Sequence, residues 1–161
     1  MLQVLYSPTA QACDLGRSGK NLLTDPTLLT AVTISLFSRR LAETSDILPD
    51  PKGDRQGWWA DKYSQKPGRL WGSRLWLLSR SKAPLPEVAT LAAVYGKEAL
   101  AWMVEDLVAA RVDFLASWQT IPATTAAVVS TTPLLALQPL IYKPGSPNPW
   151  TAVWLASLAI L

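Results

Sequence analysis

The chain has 161 residues, of which 49% are apolar and 17% are charged, with a formal net charge of +3. This length predicts a single domain over 1–161, and the apolar content excludes wholesale disorder. The absence of histidine excludes imidazole catalysis, and the single cysteine, Cys13, excludes an intrachain disulfide or a cysteine metal cluster.

The first half of the chain predicts one helix between two irregular segments. Residues 1–24 are irregular, with a short strand expected near Leu2–Tyr6. Asp25 can cap a helix and Pro26 suits its first position, so a helix is expected over 25–42. Proline and glycine over 43–68 predict a long loop, which extends over 43–82 with a short helix or an edge strand possible at the apolar Leu70–Ser79. A loop of that length is often functional.

The second half predicts a helix followed by strands. Residues 84–108 place apolar side chains at steps of three and four, which indicates a helix with one face in the core. The residues predicted for that face are Val88, Leu91, Ala92, Tyr95, Ala99, Met103 and Leu107. From 111 onward the apolar period changes to two, which predicts strands over 111–121, 126–142 and 151–160. Pro133 and Pro139 are expected to interrupt the middle segment or to place it at an edge.

This order of elements predicts an α+β fold. Two main helices would pack on a small antiparallel sheet of three or four C-terminal strands, with the long Trp/Arg-rich loop between the helices. The strand-forming segment is nearly free of charge, since only Lys143 is charged after Asp113. Such a segment is either buried in the fold, as a sheet with Ser/Thr on its wet face, or covered by neighbouring proteins.

Recognised catalytic patterns are absent from the sequence. No histidine can activate a serine or cysteine, and no glycine-rich loop can hold a phosphate. Glu98 and Glu105 lie two helical turns apart and would serve a hydrolase only if they met across a cleft. A solvated helix face explains them more simply. We therefore predict no enzyme, no cofactor and no metal site.

The long loop combines basic and aromatic side chains. Between Lys52 and Lys82 the chain has eight basic residues and two acidic ones. Basic and aromatic side chains together suit single-stranded nucleic acid, and they also suit a protein interface. Of these two hypotheses, we favour the protein interface. Arg55 or Arg74 could instead be an internal tie to an acid of the long helix.

Four stretches of the sequence carry a family resemblance: Leu28–Phe37, Asp54–Asp61, Gly72–Leu78 and Glu98–Asp106. In this order they resemble the gene-46-product family of Mu-like contractile phages. That family is a baseplate component, similar to the gene-25-type wedge proteins that start the tail sheath. The Glu-Pro-Arg motif of the gene-25 type has no counterpart here, so no role is transferred from it.

The resemblance implies a structural subunit of the virion, located in the tail baseplate and assembled in the bacterial host cytoplasm. The implied partners are other wedge proteins, the tail sheath and the tail tube or hub, with six copies per baseplate and no membrane. The C-terminal strands would accept strands of the sheath by β-augmentation. The alternatives are a nucleic-acid-binding module or a cell-wall hydrolase. The candidate interface residues are Arg55, Trp58, Trp59, Arg74, Trp76, Trp150 and Trp154.

Overall fold

The computed structural model describes residues 4–7, 12–15, 17–18, 20–22, 27–63, 66, 68–80, 84–119 and 133–157. The chain forms two units, residues 1–34 and residues 35–161. The first unit contains two short antiparallel pairs, with β1 (Val4–Ser7) paired to β2 (Ala12–Leu15) and β3 (Arg17–Ser18) paired to β4 (Asn21–Leu22). The strand expected near Leu2–Tyr6 is therefore present, slightly later in the chain.

Helix α1 spans Leu29–Phe37, so the division between the units falls inside it. The Leu29 amide donates to the Thr27 hydroxyl at 3.1 Å, which satisfies one free amide of the first turn. The predicted cap at Asp25-Pro26 lies outside the described residues. The prediction that this helix continues to residue 42 is wrong.

A parallel bridge ends α1 early. Arg39 pairs with Ser73, and the Arg40 amide donates to the Ser73 carbonyl at 3.0 Å. The Ser73 amide in turn donates to the Ser38 carbonyl at 2.9 Å. Gly72 has φ +90°, and a Cβ there would clash with the Ser38 carbonyl, so glycine is required for this close approach. The backbone groups that would extend the helix are used by the bridge.

The long loop predicted for 43–82 contains two 3-10 helices, Trp59–Tyr63 and Leu75–Arg80. Leu75, Trp76, Leu77 and Leu78 of the second helix are buried in the core. The sequence predicted a loop that serves as an interface, with a short helix or an edge strand allowed over Leu70–Ser79. The segment is instead partly internal to the fold.

The long helix predicted for 84–108 is two helices, α2 (Pro86–Ala99) and α3 (Ala101–Glu105). The break falls at Leu100, whose ψ of 2° is not helical and whose side chain is fully buried. Gly96 faces the core, although it was not among the predicted apolar positions. A Cβ at Gly96 would clash with the Phe114 ring, so this glycine allows α2 to lie directly on the sheet.

The second unit's sheet contains four strands. β5 (Arg111–Gln119) pairs along its whole length with β6 (Leu134–Tyr142). On its other side β6 pairs with β7 (Trp150–Thr151) and β8 (Trp154–Ala156). The α+β prediction of two helices and a small antiparallel C-terminal sheet is confirmed.

The prediction that Pro139 breaks a strand or marks an edge is wrong. Pro139 lies inside β6, the central strand, opposite Phe114. The interruption instead affects the neighbouring strand, because β7 and β8 keep one register while residues 152–153 between them leave the ladder. Continuing that register places Ala152 opposite Pro139, which has no amide to donate.

The sheet has one buried face and one partly open face. On the buried face, which α2 covers, lie Val112 and Phe114 of β5 and Leu137 and Ile141 of β6. On the opposite face Leu115, Val153 and Leu155 are exposed. The open face therefore mixes exposed apolar side chains with polar ones such as Ser117 and Thr151 and with the charged pair of Arg111 and Asp113.

Candidate functional site

Residues 39–80, which lie between α1 and α2 and include both 3-10 helices, are called the 39–80 segment. Arg74 is the centre of an ion-pair cluster between this segment and α2. Its Nε donates to Glu98 at 2.9 Å, and its Nη1 lies 3.1 Å from Asp46 and 3.2 Å from Glu43. The guanidinium also stands 4.8 Å from the centre of the Tyr95 ring. Only 14% of the Arg74 side chain is exposed, so this residue joins elements of its own chain.

A second arginine repeats this arrangement at α3. Arg69 Nη1 donates to Asp106 at 2.7 Å and its Nη2 to Glu105 at 2.8 Å, while Lys66 also pairs with Asp106. The hydrogen bonds from Arg69 and then from Lys66 hold the pKa of the Asp106 carboxyl well below its ordinary value. The hydrogen bonds from Arg69 to Asp106 and then to Glu105 raise the pKa of Arg69. Arg69 and Asp106 therefore stabilise each other's charged forms.

An aromatic row runs beside these ion pairs. The rings of Trp58 and Trp71 meet edge to face with centroids 6.1 Å apart, and Trp71 lies 5.8 Å from Trp102. Trp102 Nε1 donates to the Ser35 hydroxyl at 3.1 Å, and the Trp71 amide donates to Asp61 at 3.0 Å. Trp58 and Trp71 lie on either side of the first 3-10 helix in the sequence, and the row joins them to Trp102 of α3. Aromatic contact therefore adds to the ion pairs that hold this part of the chain on α3.

The Gly-Ser-Arg-Leu-Trp stretch, Gly72 to Trp76, places each side chain in a specific contact. Gly72 allows the close approach to Ser38, and the Ser73 hydroxyl donates to the Leu36 carbonyl. Leu75 is buried, and the Trp76 indole donates to the Arg40 carbonyl at 2.9 Å. The motif therefore connects the end of α1 to α2.

The structure places the candidate interface residues in different environments. Arg74 pairs with Glu98 of the long helix, so the alternative of an internal tie is confirmed for Arg74. Trp76 is in the core, where no neighbouring protein can reach it. Arg55 is half-buried and accepts the Ala42 amide at its carbonyl, with no acid of α2 paired to it among the described residues. Trp58 is 43% exposed.

The three remaining candidate tryptophans are Trp59, Trp150 and Trp154. Two of them are less exposed than Trp58, and the side chain of the third is not described. Trp150 and Trp154 are half-buried and lie opposite Ile141 and Leu137, on the covered side of the sheet. The backbone of Trp59 begins the first 3-10 helix, and its side chain lies outside the described residues. Trp58 is thus the most exposed of the predicted tryptophans that can be assessed.

The acids considered for hydrolysis are engaged in ion pairs. Glu98 contacts both Arg40 and Arg74, and Glu105 contacts Arg69. Within the described part of the chain, no three potential metal ligands come together. Nor does any helix there have the length and apolarity to cross a membrane.

Three basic groups of the segment are engaged within the chain. Arg69 and Arg74 are each bound to two or more carboxylates, and Lys66 is bound to Asp106. Such pairs compete with phosphate for the same donors. For these three residues the geometry favours a role within the chain over contact with nucleic acid.

The outer edges of the sheet offer a different kind of site. Among the described residues, β5 pairs only with β6, so one side of its nine-residue backbone is unpaired. The other edge, formed by β7 and β8, is interrupted at residues 152–153. A long unpaired strand is a template for an added strand. β5 is the longer and more regular of the two edges.

A comparison with protein-family models matches residues 28–146, from α1 through the turn after β6, to the family described as phage protein GP46. This chain belongs to the GP46 family. The match includes both arginine clusters, the Gly72–Trp76 stretch and the β5 edge, and it ends before β7. The predicted resemblance to the gene-46-product family is therefore confirmed.

Two curated relatives share part of the chain. The baseplate protein gp46 of Escherichia phage Mu is 51% identical over 90 residues, which are 56% of this chain and 59% of the Mu protein. The Mu-like prophage FluMu protein gp46 of Haemophilus influenzae is 41% identical over 104 residues, 65% of this chain and 67% of that protein. The matched stretch thus spans less than two thirds of the Mu protein. No solved structure matches the chain.

Proposed function

We propose that this GP46-family chain is a structural, non-enzymatic component of the tail baseplate of a contractile phage. The support is the 51% identity to a protein of phage Mu that is named a baseplate protein. In this proposal the protein is located in the virion and assembles in the host cytoplasm. The internal ion pairs suit such a role, because they give a rigid body that presents surfaces to neighbours.

In finer terms, we propose that the protein is a wedge subunit that begins the tail sheath by accepting a sheath strand at the β5 edge. The observation that carries this proposal is the nine-residue backbone of β5, which is paired on one side only among the described residues. Main-chain hydrogen bonds along such an edge supply affinity in β-augmentation. Exposed Leu115 and half-buried Ala116 offer the added strand apolar neighbours on the two faces.

The remaining contacts are proposed for other wedge proteins and for the tail tube or hub. Trp58, exposed at the end of the aromatic row, is the preferred anchor, since tryptophan is enriched at interface hot spots. Arg55, Trp59, Trp150 and Trp154 are proposed as further contacts, and six copies would surround the tube. Arg74 and Trp76 support these contacts from within.

A proline scan of β5 tests the sheath role. In an antiparallel strand, successive amides point alternately toward the partner strand and toward the open edge. Of Ala116→Pro and Ser117→Pro, one therefore removes an internal bond and unfolds the sheet, and the other removes only an edge donor. The fold-sparing variant is recognised by an unchanged thermal midpoint, and we expect it to give tail tubes without sheath in electron micrographs.

The matched controls are Ala116→Ser and Ser117→Ala, which retain both amides and should give normal sheathed tails. Normal sheaths from the fold-sparing proline variant would contradict the sheath role and leave the baseplate role intact. Absence of the wild-type protein from purified tails would contradict the baseplate role itself.

A further inference from the structure

Asp113, near the start of β5, lies on the face of the sheet that α2 does not cover. Side chains of a strand project alternately from the two faces of a sheet. The Phe114 ring lies against Gly96 of α2, so Phe114 is on the covered face and Asp113 is on the open one. Arg111, on the same face as Asp113, donates from Nε to its carboxylate at 3.0 Å. The Arg111 guanidinium also lies 4.1 Å from the centre of the Tyr142 ring, directly opposite on β6.

The ion pair of Lys97 with Asp113 joins the two faces of the sheet. Lys97 belongs to α2, on the covered face, yet its Nζ lies 3.8 Å from Oδ1 of Asp113. A side chain from one face reaches a carboxylate on the other around the margin of the sheet, and among the described strands β5 forms that margin. Gly96 lets α2 lie close enough to β5 for the neighbouring Lys97 to reach. The Lys97–Asp113 pair therefore lies across the unpaired side of β5.

This pair occupies the place that an added strand needs. A neighbouring strand would lie about 4.8 Å from β5, in the space that Lys97 crosses. The side chain of Lys97 is 64% exposed and that of Asp113 is 37% exposed, so the pair is weak enough to open. Lysine at a sheet edge opposes pairing with another chain, because pairing takes the ammonium group out of water.

A second copy of this chain has no free acid on β5 to receive the displaced lysine. Asp113 is the single acidic residue of β5, and both Arg111 and Lys97 already contact it. Two β5 edges brought together would therefore carry twice as many cations as acids in these groups. Like charges placed opposite each other on paired strands are destabilising. The pair thus opposes edge-to-edge association of two copies.

We propose that the Lys97–Asp113 pair is a gate on the β5 edge. It prevents copies of the free chain from pairing there, and it opens when a sheath strand is added. The identity of the incoming strand rests on the proposed function, whereas the effect on the free chain does not. The gate needs only the movement of one exposed side chain, so the fold is the same in both states.

The test measures self-association of the purified chain by sedimentation equilibrium. We expect the wild type to be monomeric. Lys97→Met keeps an unbranched side chain without the charge, and it should associate about tenfold more strongly than the wild type. Asp113→Asn releases Lys97 and should also increase association, although it raises the net positive charge of the chain. Thermal midpoints of both variants should match the wild type, because the pair is exposed.

Two further variants locate the association and control for charge. Adding the fold-sparing β5 proline to Lys97→Met should restore the monomer, since the proline removes an edge donor. Lys52→Met removes the same charge from an exposed lysine of the 39–80 segment, and it should leave association unchanged. An equal increase from Lys52→Met would overturn the gate, because net charge would then explain the result. A monomeric Lys97→Met, weaker association of Asp113→Asn, or a dimer that survives the β5 proline would also overturn it.

The phage provides a second readout. Lys97→Met supplied at limiting expression should still give sheathed tails, because the gate is open in the assembled state. Tail tubes without sheath from this variant would overturn the gate and make Lys97 a contact of the sheath strand. Wild-type protein missing from tails would overturn the proposed function alone, since self-association of the purified chain still decides whether the edge is gated.

Discussion

The 39–80 segment and the C-terminal sheet both have a composition typical of an interface. They differ in whether the residues responsible are buried and paired within the chain or remain exposed. The first is basic and rich in tryptophan, but Arg69 and Arg74 are bound to carboxylates of α2 and α3 and Trp76 is buried. The second has almost no charge, and it leaves β5 unpaired on one side and Leu115 exposed within the described residues.

The difference teaches that composition identifies unusual regions without saying which of them faces a partner. Arginine and tryptophan are typical of hot spots, yet in this chain most of those that can be assessed hold the fold together. A scarcity of charge is less specific as a signal, but in the described part of the chain it coincides with a strand that is unpaired on one side and with exposed apolar side chains on the outer face. The three predictions that follow perturb the contact of α2 with the sheet and then two ion-pair clusters of the 39–80 segment, each compared with a charged residue of the sheet.

The largest effect is expected at the contact between α2 and the sheet. Gly96→Ala places a methyl group against the Phe114 ring, in a core that has no room for it. Overpacking of this kind costs roughly 3 kcal/mol of the free energy of unfolding, because the helix must move away from the sheet. Urea denaturation of the purified protein measures the loss.

Two further variants check the cause of that loss. Val94→Ala, at an exposed position of the same helix, should change the free energy of unfolding by less than about 0.5 kcal/mol. Adding Phe114→Leu to Gly96→Ala should recover part of the stability, since it makes room for the methyl group. If Gly96→Ala were as stable as the wild type, α2 would not lie against Phe114.

The sequence predicted the order of elements and the fold class because both depend on local periodicity and turn residues. It did not predict the positions that depend on contacts with distant segments. Gly96 was not among the apolar positions predicted for the core, because its role depends on contact with the distant Phe114 ring. Pro139 looked like a strand break, because only the pairing of β6 shows that the missing donor faces a gap in the neighbouring strand.

The candidate site was also predictable only where a local sequence pattern indicated it. The Gly72–Trp76 stretch stood out, and an internal tie of Arg74 to the long helix was among the alternatives. The acids Asp46 and Glu43, which complete that cluster, had no pattern that linked them to Arg74. Leu107 was assigned to the core because the apolar period continues beyond the end of the helix, where the chain already turns away.

A smaller loss of stability is expected when Arg74, the centre of the ion-pair cluster, is replaced. The matched replacement is Arg111, which is a charged residue of the sheet. Arg74→Leu leaves Asp46 and Glu98 without their shared cation in a partly buried site, so it should cost about 2 kcal/mol of unfolding free energy. Arg111→Leu breaks an exposed pair with Asp113 and should cost less than about 1 kcal/mol. Equal losses in urea denaturation would contradict the distinction drawn between the two regions.

Arg74→Lys sharpens the same comparison. An ammonium group keeps the charge but cannot reach three carboxylates with the planar geometry of a guanidinium. Its loss of stability should fall between those of the wild type and Arg74→Leu. If the lysine variant matched the wild type, charge alone would be sufficient and the geometry of the cluster would be unimportant.

The smallest effect is expected at Asp106, where it depends on pH. Arg69, and then Lys66, hold the pKa of this carboxyl below its ordinary value of 3.8 in the folded protein. Its contribution to stability is therefore complete above the pKa of the unfolded chain and is lost as the pH falls toward the lowered folded pKa. Asp106→Asn should lower the thermal midpoint by a constant amount at neutral pH, and the difference from the wild type should shrink below about pH 4.

Salt distinguishes this explanation from a change in packing. Lys66 is largely exposed and Asp106 is partly exposed, so 1 M sodium chloride, with a Debye length of about 3 Å, should reduce the difference between Asp106→Asn and the wild type at pH 7. The matched variant in the sheet is Asp113→Asn, whose partner Arg111 is largely exposed, and it should have little effect under the same conditions. A difference at Asp106 that was undiminished at pH 2 and in high salt would mean that the side chain acts by shape, and the contrast between a segment joined by charge and a sheet with few charges would then fail at α3.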